Sequence, residues 1–221
     1  VILMLSLSLY SSSQSVSVSI YRNKEKLLFL EKKNQDVKKS DELILLIQKA
    51  LKKEPFNSIT HIYFSRGPGG FTAIRALISI SQGLAIAGEA RIQTVTIFEA
   101  FISALKEKIT GNILVLFKDS RKDYYFQFFK NKKGLWIKDS NIFCGNIKKI
   151  ELKIKNYCDT KTEHKINIIT DKFDFEFDCL SNKRLIELEI NADSISQAII
   201  SGYGKNTVRP VYHQKHYGKK N

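Results

Sequence analysis

Ser65-Arg66-Gly67-Pro68-Gly69-Gly70-Phe71-Thr72-Ala73-Ile74-Arg75 decides the fold. The apolar run Ile59 to Phe64 before it reads as a strand, and the run behind it reads as a helix from about Phe71 to Ala87. Strand, glycine-rich turn and helix N-terminus, in that order, present backbone N–H groups to a phosphate in many folds. No lysine stands directly before Thr72, so the spacing fits neither a P-loop nor a dinucleotide fingerprint. Two uses stay open. Gly67, Gly69 and Gly70 form either a turn facing a nucleotide or partner, or a tight strand-to-helix corner that needs positive φ. Thr72 reads as an N-cap or a ligand contact. Arg75, one turn into the helix, reads as a holder of phosphate or carboxylate, or as half of a surface salt bridge.

Upstream, Leu5, Leu7 and Leu9 alternate with Ser6 and Ser8, and Ser15 to Tyr21 alternates at period two. With Lys26 to Glu31 these make a three-stranded meander. Ser40-Asp41-Glu42 opens a helix that carries Lys52 and Lys53 in its last turn and stops at Pro55. Its Leu43, Ile44, Leu45, Leu46 and Ile47 are consecutive, a wider apolar band than one buried face requires. Part of it meets a partner, or the helix lies deep in one domain. The following helix is apolar on several sides (Ile74, Leu77, Ile78, Ile80, Leu84, Ile86). It carries a row of small residues, Ala73, Ala76, Gly83 and Ala87, that lets another helix approach. A strand over Ile92 to Val95 and a helix from Ile97 to about Lys106 complete a βββαβα half with a final strand before its last helix.

The second half restarts with strands over 112–117, 124–129 and 135–138. Ile147 to Ile154 and Ile166 to Ile169 look strand-like, and 193–203 reads as a helix. The expected fold class is therefore α/β: a duplicated RNase H-like (actin-like ATPase) fold of two βββαβα-type halves, the second eroded. The expected domains are 1–108 and 109–221, with the C-terminal helix packing back on the first.

The 36 Lys+Arg outnumber the 22 Asp+Glu by 14. The excess is spread: 13 basic against 8 acidic residues in 1–100, and 23 against 14 in 101–221. Such a spread permits attraction to RNA or phosphate, and it equally suits a lysine-rich solvated surface. Cys144, Cys158 and Cys179 have no metal-ligand spacing and suit reduced thiols in a cytosolic protein. His213 and His216 lack further ligands, His61 falls in a strand and His164 in a charged loop, so no metal is expected. The serines at 11–13 read as turn formers, with no His/Asp partners for nucleophilic work. No apolar run reaches the ~18 residues of a membrane span, and the expected location is the cytoplasm.

Gly67-Pro68-Gly69-Gly70-Phe71-Thr72-Ala73-Ile74-Arg75 resembles the GPGSFTGLR hallmark of the TsaB (YeaZ) family. Ser81-Gln82-Gly83-Leu84-Ala85 is similar to that family's AQGLA, and Thr94 to Ala100 to its GVSSLEA. Asp119-Ser120-Arg121-Lys122 is similar to its DARR, and Pro210-Val211-Tyr212 to its C-terminal P-x-Y-L-R. The departures are as informative. Tyr10 stands where related enzymes keep a phosphate-turn Asp, Gly70 replaces Ser, Lys39-Ser40-Asp41 replaces HSE, and Tyr124 replaces a Glu.

The resemblance implies a non-catalytic subunit of the complex forming threonylcarbamoyladenosine at position 37 of tRNAs that decode ANN codons. In that family TsaB binds the catalytic paralogue TsaD, and the ATPase TsaE joins them; tRNA is met through the complex. The resemblance also implies an interface made by the two helices at about 40–53 and 71–87. Its expected residues are Leu43, Leu46, Ile47, Ala50, Ala73, Ala76, Leu77, Ile80, Gly83 and Leu84. No cofactor is expected, with nucleotide a candidate at the subunit interface of the complex. Its candidate contacts are Gly67, Gly69, Gly70, Thr72, Arg75, Asp119 and Arg121, the last two also able to pair with each other. The competing readings are a small ATPase or phosphotransferase of the same fold, disfavoured by Tyr10, and a self-associating scaffold that homodimerises in isolation.

Overall fold

The computed structural model describes residues 4–12, 14–33, 39–106, 108–118, 124–159, 166–172 and 183–212. It divides into a first unit, Val1–Ala104 with Ile190–Tyr212, and a second built on Leu105–Glu189.

In the first unit the period-two segments become β1 (Leu5–Ser11), β2 (Ser15–Arg22) and β3 (Glu25–Lys33), an antiparallel meander. Helix α1 (Lys39–Leu51) follows, with Asp41 and Glu42 in its first turn and Lys49 in its last, as the helix dipole favours. Then come β4 (His61–Ser65), α2 (Phe71–Ala87), β5 (Arg91–Val95) and α3 (Ile97–Ala104). The strand order is β3-β2-β1-β4-β5, with β1, β4 and β5 parallel. This is the RNase H-like order: a hairpin-built edge joined to strands that helices must connect.

The central strands are buried on both faces. Leu5, Leu7, Leu9, Val16, Val18 and Ile20 meet Leu43, Leu46, Ile47 and Ala50 of α1 in one cluster. The opposite face is serine, and Ser6, Ser8, Ser17 and Ser19 are all buried. Helix α5 (Ala192–Ala198) packs on it beside α3, and a short turn, Ile199–Tyr203, follows. Small side chains let the helix come close, and their hydroxyls fix it there. The Ser196 hydroxyl hydrogen-bonds those of Ser8 and Ser19. Every N–H of the first turn of α5 is accounted for: Ala192 donates to Ser17 Oγ, Asp193 and Ser194 donate to Asn191 Oδ1, and Ile195 donates to the Asn191 carbonyl. Asp193 also accepts from Tyr21 Oη and Lys26 Nζ, and burial together with that contact pushes the Tyr21 phenol up to about 12.

The second unit repeats the order. Strands β6 (Asn112–Lys118), β7 (Tyr124–Lys132) and β8 (Leu135–Lys138) are antiparallel, and β10 (Ile166–Thr170) and β11 (Lys183–Glu187) run parallel to β6, giving β11-β10-β6-β7-β8. A short β9 (Phe143–Gly145) pairs with β7. The reduction lies in a connection. Residues 66–90 join β4 to β5 and hold the 17-residue α2, whereas only 171–182 join β10 to β11, too few for such a helix.

One expectation is overturned. Ile147–Asp159 is a helix, α4, and not a strand. Ile150, Leu152 and Ile154 alternate, but Ile147, Ile150, Ile154, Tyr157 and Cys158 also recur at helical spacing, and that set packs against the sheet. Tyr157 stacks on Phe128 with ring centroids 4.1 Å apart, while Leu152 is left 59% exposed. Strand β9 is too short to show a pattern at three residues, and β11 hides its strand because Lys183, Arg184 and Glu187 make three of its five residues charged. Cys144 is buried and Cys158 is half-buried; Cys179, His164, His213 and His216 lie outside the described residues.

Replacing Ser196 by Ala strands two buried hydroxyls and should lower stability by about 1–3 kcal/mol in urea titrations. Replacing Ser8, Ser19 and Ser196 together should recover most of that loss, because no orphaned partner then remains. A second expectation concerns acid. Burial, then the charge of Arg91, hold the His61 pKa below its usual 6.5. Below pH 6.5 the unfolded chain therefore takes up this proton more readily than the folded chain, and stability falls as pH falls. Urea midpoints of the wild type should drop between pH 7.5 and 5.5, and His61→Gln should shrink that drop.

Candidate functional site

The strand-to-helix turn is closed from inside the chain. The Arg66 N–H donates to the Val95 carbonyl and the Gly67 N–H to Ser65 Oγ. The Arg66 carbonyl accepts from the Val211 N–H at 2.8 Å, and the Gly67 carbonyl from Ile97 N–H at 3.0 Å. Pro68 has no N–H. Gly67 sits at φ +95°, and a Cβ there would come within 2.7 Å of Ile74 Cδ1 and 3.2 Å of the Val211 carbonyl oxygen. Its glycine is thus required by conformation and by the approach of the C-terminal strap, while a Cβ on Gly70 would meet nothing within 4 Å.

Thr72 is not the N-cap. Gly70 occupies that place without a side chain to cap with, and Thr72 is exposed in the first turn. Among the described residues Arg75 has no salt-bridge partner. Its guanidinium lies 3.7 Å over the Phe71 ring, its Nε donates to Tyr212 Oη at 3.3 Å, and the Phe71 and Tyr212 rings are 5.2 Å apart. The strap reaches this point along β5: Thr94 and Lys205 exchange backbone hydrogen bonds, and Thr94 Oγ1 donates to the Thr207 carbonyl. Thr96 and Glu99 make a capping box for α3, the Thr96 N–H and hydroxyl donating to the carboxylate and the Glu99 N–H to Thr96 Oγ1. Three stretches singled out separately in the sequence, around Gly67, Thr94 and Tyr212, therefore meet in one corner.

The first turn is closed in the same manner. Tyr10 is buried, and Ser12 Oγ accepts from the N–H groups of Gln14 and Ser15 while the Ser12 N–H donates to the Ser15 carbonyl. Asp119 and Arg121 lie outside the described residues. Among the described residues no cluster of His, Cys, Asp or Glu could hold a metal ion, and no helix is long and apolar enough to cross a membrane.

The helix faces sort the expected interface residues. Leu43, Leu46, Ile47 and Ala50 of α1, and Leu77 of α2, are buried in the core of their own unit and have no surface to offer. This corrects the expectation for those five, since the i, i+3, i+4, i+7 set of α1 is the inward one. Ala73, Ala76, Ile80 and Leu84 are half-buried and Gly83 is exposed. The residues missed are those outside the inward set: Ile44 at 42% exposure, Leu45 at 49%, and Ile86 at 81%. Helical periodicity applied to the five-residue apolar band would have placed Ile44 and Leu45 outward. On α2, Ala73, Ala76, Ile80, Gly83 and Ala87 follow 3-4-3-4 spacing, a seam on which another helix can pack. A Cβ on Gly83 would meet nothing within 4 Å, so nothing inside the unit demands this mid-helix glycine.

Two RNase H-like sheets of the same strand order, one after the other in a single chain, define a duplicated protein of the actin-like ATPase fold. No protein-family model matches the chain. It is 29% identical over 156 residues, 68% of this chain and 69% of the relative, to the tRNA threonylcarbamoyladenosine biosynthesis protein TsaB of Buchnera aphidicola from Acyrthosiphon pisum. The namesake from Schizaphis graminum is 24% identical over 153 residues, 67% of this chain and 72% of the relative. Among solved structures, YeaZ from Pseudomonas aeruginosa superposes with a TM-score of 0.74 at 17% identity, covering 95% of this chain and 100% of that one. In sequence and in fold the chain resembles the TsaB (YeaZ) family.

Gly67→Ala should destabilise the chain by about 1–3 kcal/mol, since it meets both positive φ and a backbone contact. Gly83→Ala should instead stabilise the isolated chain by about 0.5–1 kcal/mol, the usual helix-interior difference. Paired thermal melts of the two variants give the comparison.

Proposed function

We infer that this chain is a non-catalytic subunit in the formation of tRNA threonylcarbamoyladenosine at position 37 of ANN-decoding tRNAs. It acts by binding and supporting a TsaD-like catalytic paralogue, with a TsaE-like ATPase joining the assembly. The names carried by the Buchnera relatives support the pathway. The observation that carries the binding role is Gly83. A mid-helix glycine costs about 1 kcal/mol relative to alanine, the fold makes no use of the space, and it lies on an outward seam with Ala76, Ile80 and Ala87. Exposed Ile86 on the same helix, and Ile44 and Leu45 on α1, add apolar surface for a partner to cover.

An ATPase reading is weaker. Tyr10 brings no carboxylate to the first turn, and the serine hydroxyl there already takes two of its N–H groups. Self-association would use the same helix face and is separated from the first reading by light scattering with and without the paralogue.

The test is co-elution with the cognate TsaD-like protein. Gly83→Phe and Ile86→Glu should each weaken the pairing roughly tenfold or more, the equivalent of about 1.4 kcal/mol, while Leu135→Glu in the second unit should leave it unchanged. Wild-type chain that fails to co-elute, or normal tRNA modification in cells lacking it, would sink the reading.

A further inference from the structure

Helix α4 carries its charges against its own dipole. Lys148 and Lys149 stand in its first turn, which holds no acid, and Asp159 closes its last turn, which holds no base. Helices α1 and α5 do the opposite, with Asp41, Glu42 and Asp193 at their starts. A lysine at a helix N-terminus costs the helix about 0.3–1 kcal/mol; Lys149 offsets this with its hydrogen bond to the Cys144 carbonyl, and Lys148 stands exposed.

Two of the four lysines are displayed outward. Ile150 and Ile154 hold α4 on its sheet, Lys148 and Lys155 are exposed, and the two lie about 10 Å apart along the axis. Lys153 is carried over the Phe143 ring, its Nζ 4.7 Å from the centroid. Lys149 lies under Gly145, where a Cβ would come within 2.4 Å of its Cδ, and donates to the Cys144 carbonyl. The strand beside them extends the patch. Tyr124, Phe126 and Phe128 of β7 belong to the α4 core cluster, so Lys130 and Lys132, at the same strand parity, lie on the α4 side of the sheet. Asp139 answers Lys130 and is otherwise held by Tyr157 Oη. Four lysines against Glu151 and Asp159 leave α4 itself at +2.

We propose that the outer face of α4, with Lys132 of β7, is a docking surface for the sugar–phosphate backbone of RNA. The inference rests on the tRNA-modification reading, which makes tRNA the polyanion at hand. Lys148 and Lys155, spaced along one helix face with Glu151 between them, suit sequence-independent phosphate contact. The surface positions tRNA on the assembly and does not select its sequence.

The experiment measures binding of an unmodified tRNA transcript to the full-length chain by fluorescence anisotropy, between about 50 and 200 mM KCl. Lys148→Gln with Lys155→Gln should weaken binding roughly fivefold or more and flatten the log K against log salt slope by about one to two. Lys155→Glu alone should act in the same direction. Lys52→Gln with Lys53→Gln, at the end of α1, should change neither. Because Lys148 opposes the dipole, the double variant should melt no lower than the wild type, which separates lost binding from lost fold. Unchanged affinity and slope in the α4 variants overturns the proposal. So does tRNA binding that persists while co-elution with the TsaD-like protein is lost, which would assign the face to an acidic protein surface. Co-elution of the wild type is read independently, so failure of the subunit reading is not confused with failure of this one.

Discussion

The close approach of three backbones at Gly67 is the constraint on which the first unit turns. Its carbonyl takes the N–H that starts α3, the neighbouring Arg66 carbonyl takes the N–H of the strap, and the space a Cβ would fill belongs to Ile74 and Val211. A residue with a side chain has neither the backbone angle nor the room. By closing there, the corner fixes where α2 begins and which way its faces point. Phe71, Arg75 and Tyr212 lock the first turn of the helix from outside. What resembles a phosphate cradle in outline has the backbone groups of Arg66 and Gly67 already satisfied, and its consequence is the aim of a helix.

That aim matters because α2 is two-sided. Ile74, Leu77, Ser81 and Ala85 face the sheet, and the seam from Ala73 through Gly83 to Ala87 is left outside. The serine face of β1 and β2 plays the complementary part on the far side of the same sheet. Fully buried hydroxyls are tolerated there because Ser196 and the first turn of α5 meet them. The chain leaves the first unit at Ala104 and returns to it at Ile190, so α5 completes a core begun some 180 residues earlier.

The second unit keeps the sheet and shortens one connection. Its five-strand order repeats that of the first, yet the link between β10 and β11 has no room for a counterpart of α2. The small-residue seam therefore belongs to the first unit, while the second carries a basic helix. Duplication followed by unequal reduction gives the two units different surfaces on one architecture.

Period-two leucines, the acidic start and basic end of α1, and the glycine-rich corner made the meander, α1 and α2 readable directly, the last with both ends in place. Helix and strand at Ile147–Ile154 were not separable by pattern, because Ile150, Leu152 and Ile154 satisfy one period and Ile147, Ile150 and Ile154 the other. Stacking of Tyr157 on Phe128 belongs to the helix alone. The apolar band of α1 was visible, but which of its residues were already spent was not, since burial is a property of the sheet beneath and not of the helix. The sequence by itself determined the strand periods, the helix ends and the family resemblance. Only the tertiary structure decided that the serines are inside, that Leu43, Leu46, Ile47, Ala50 and Leu77 are core, and that the space beside Gly83 in mid-helix is open. The reason is physical: periodicity records which residues share a face, and packing alone records what that face touches.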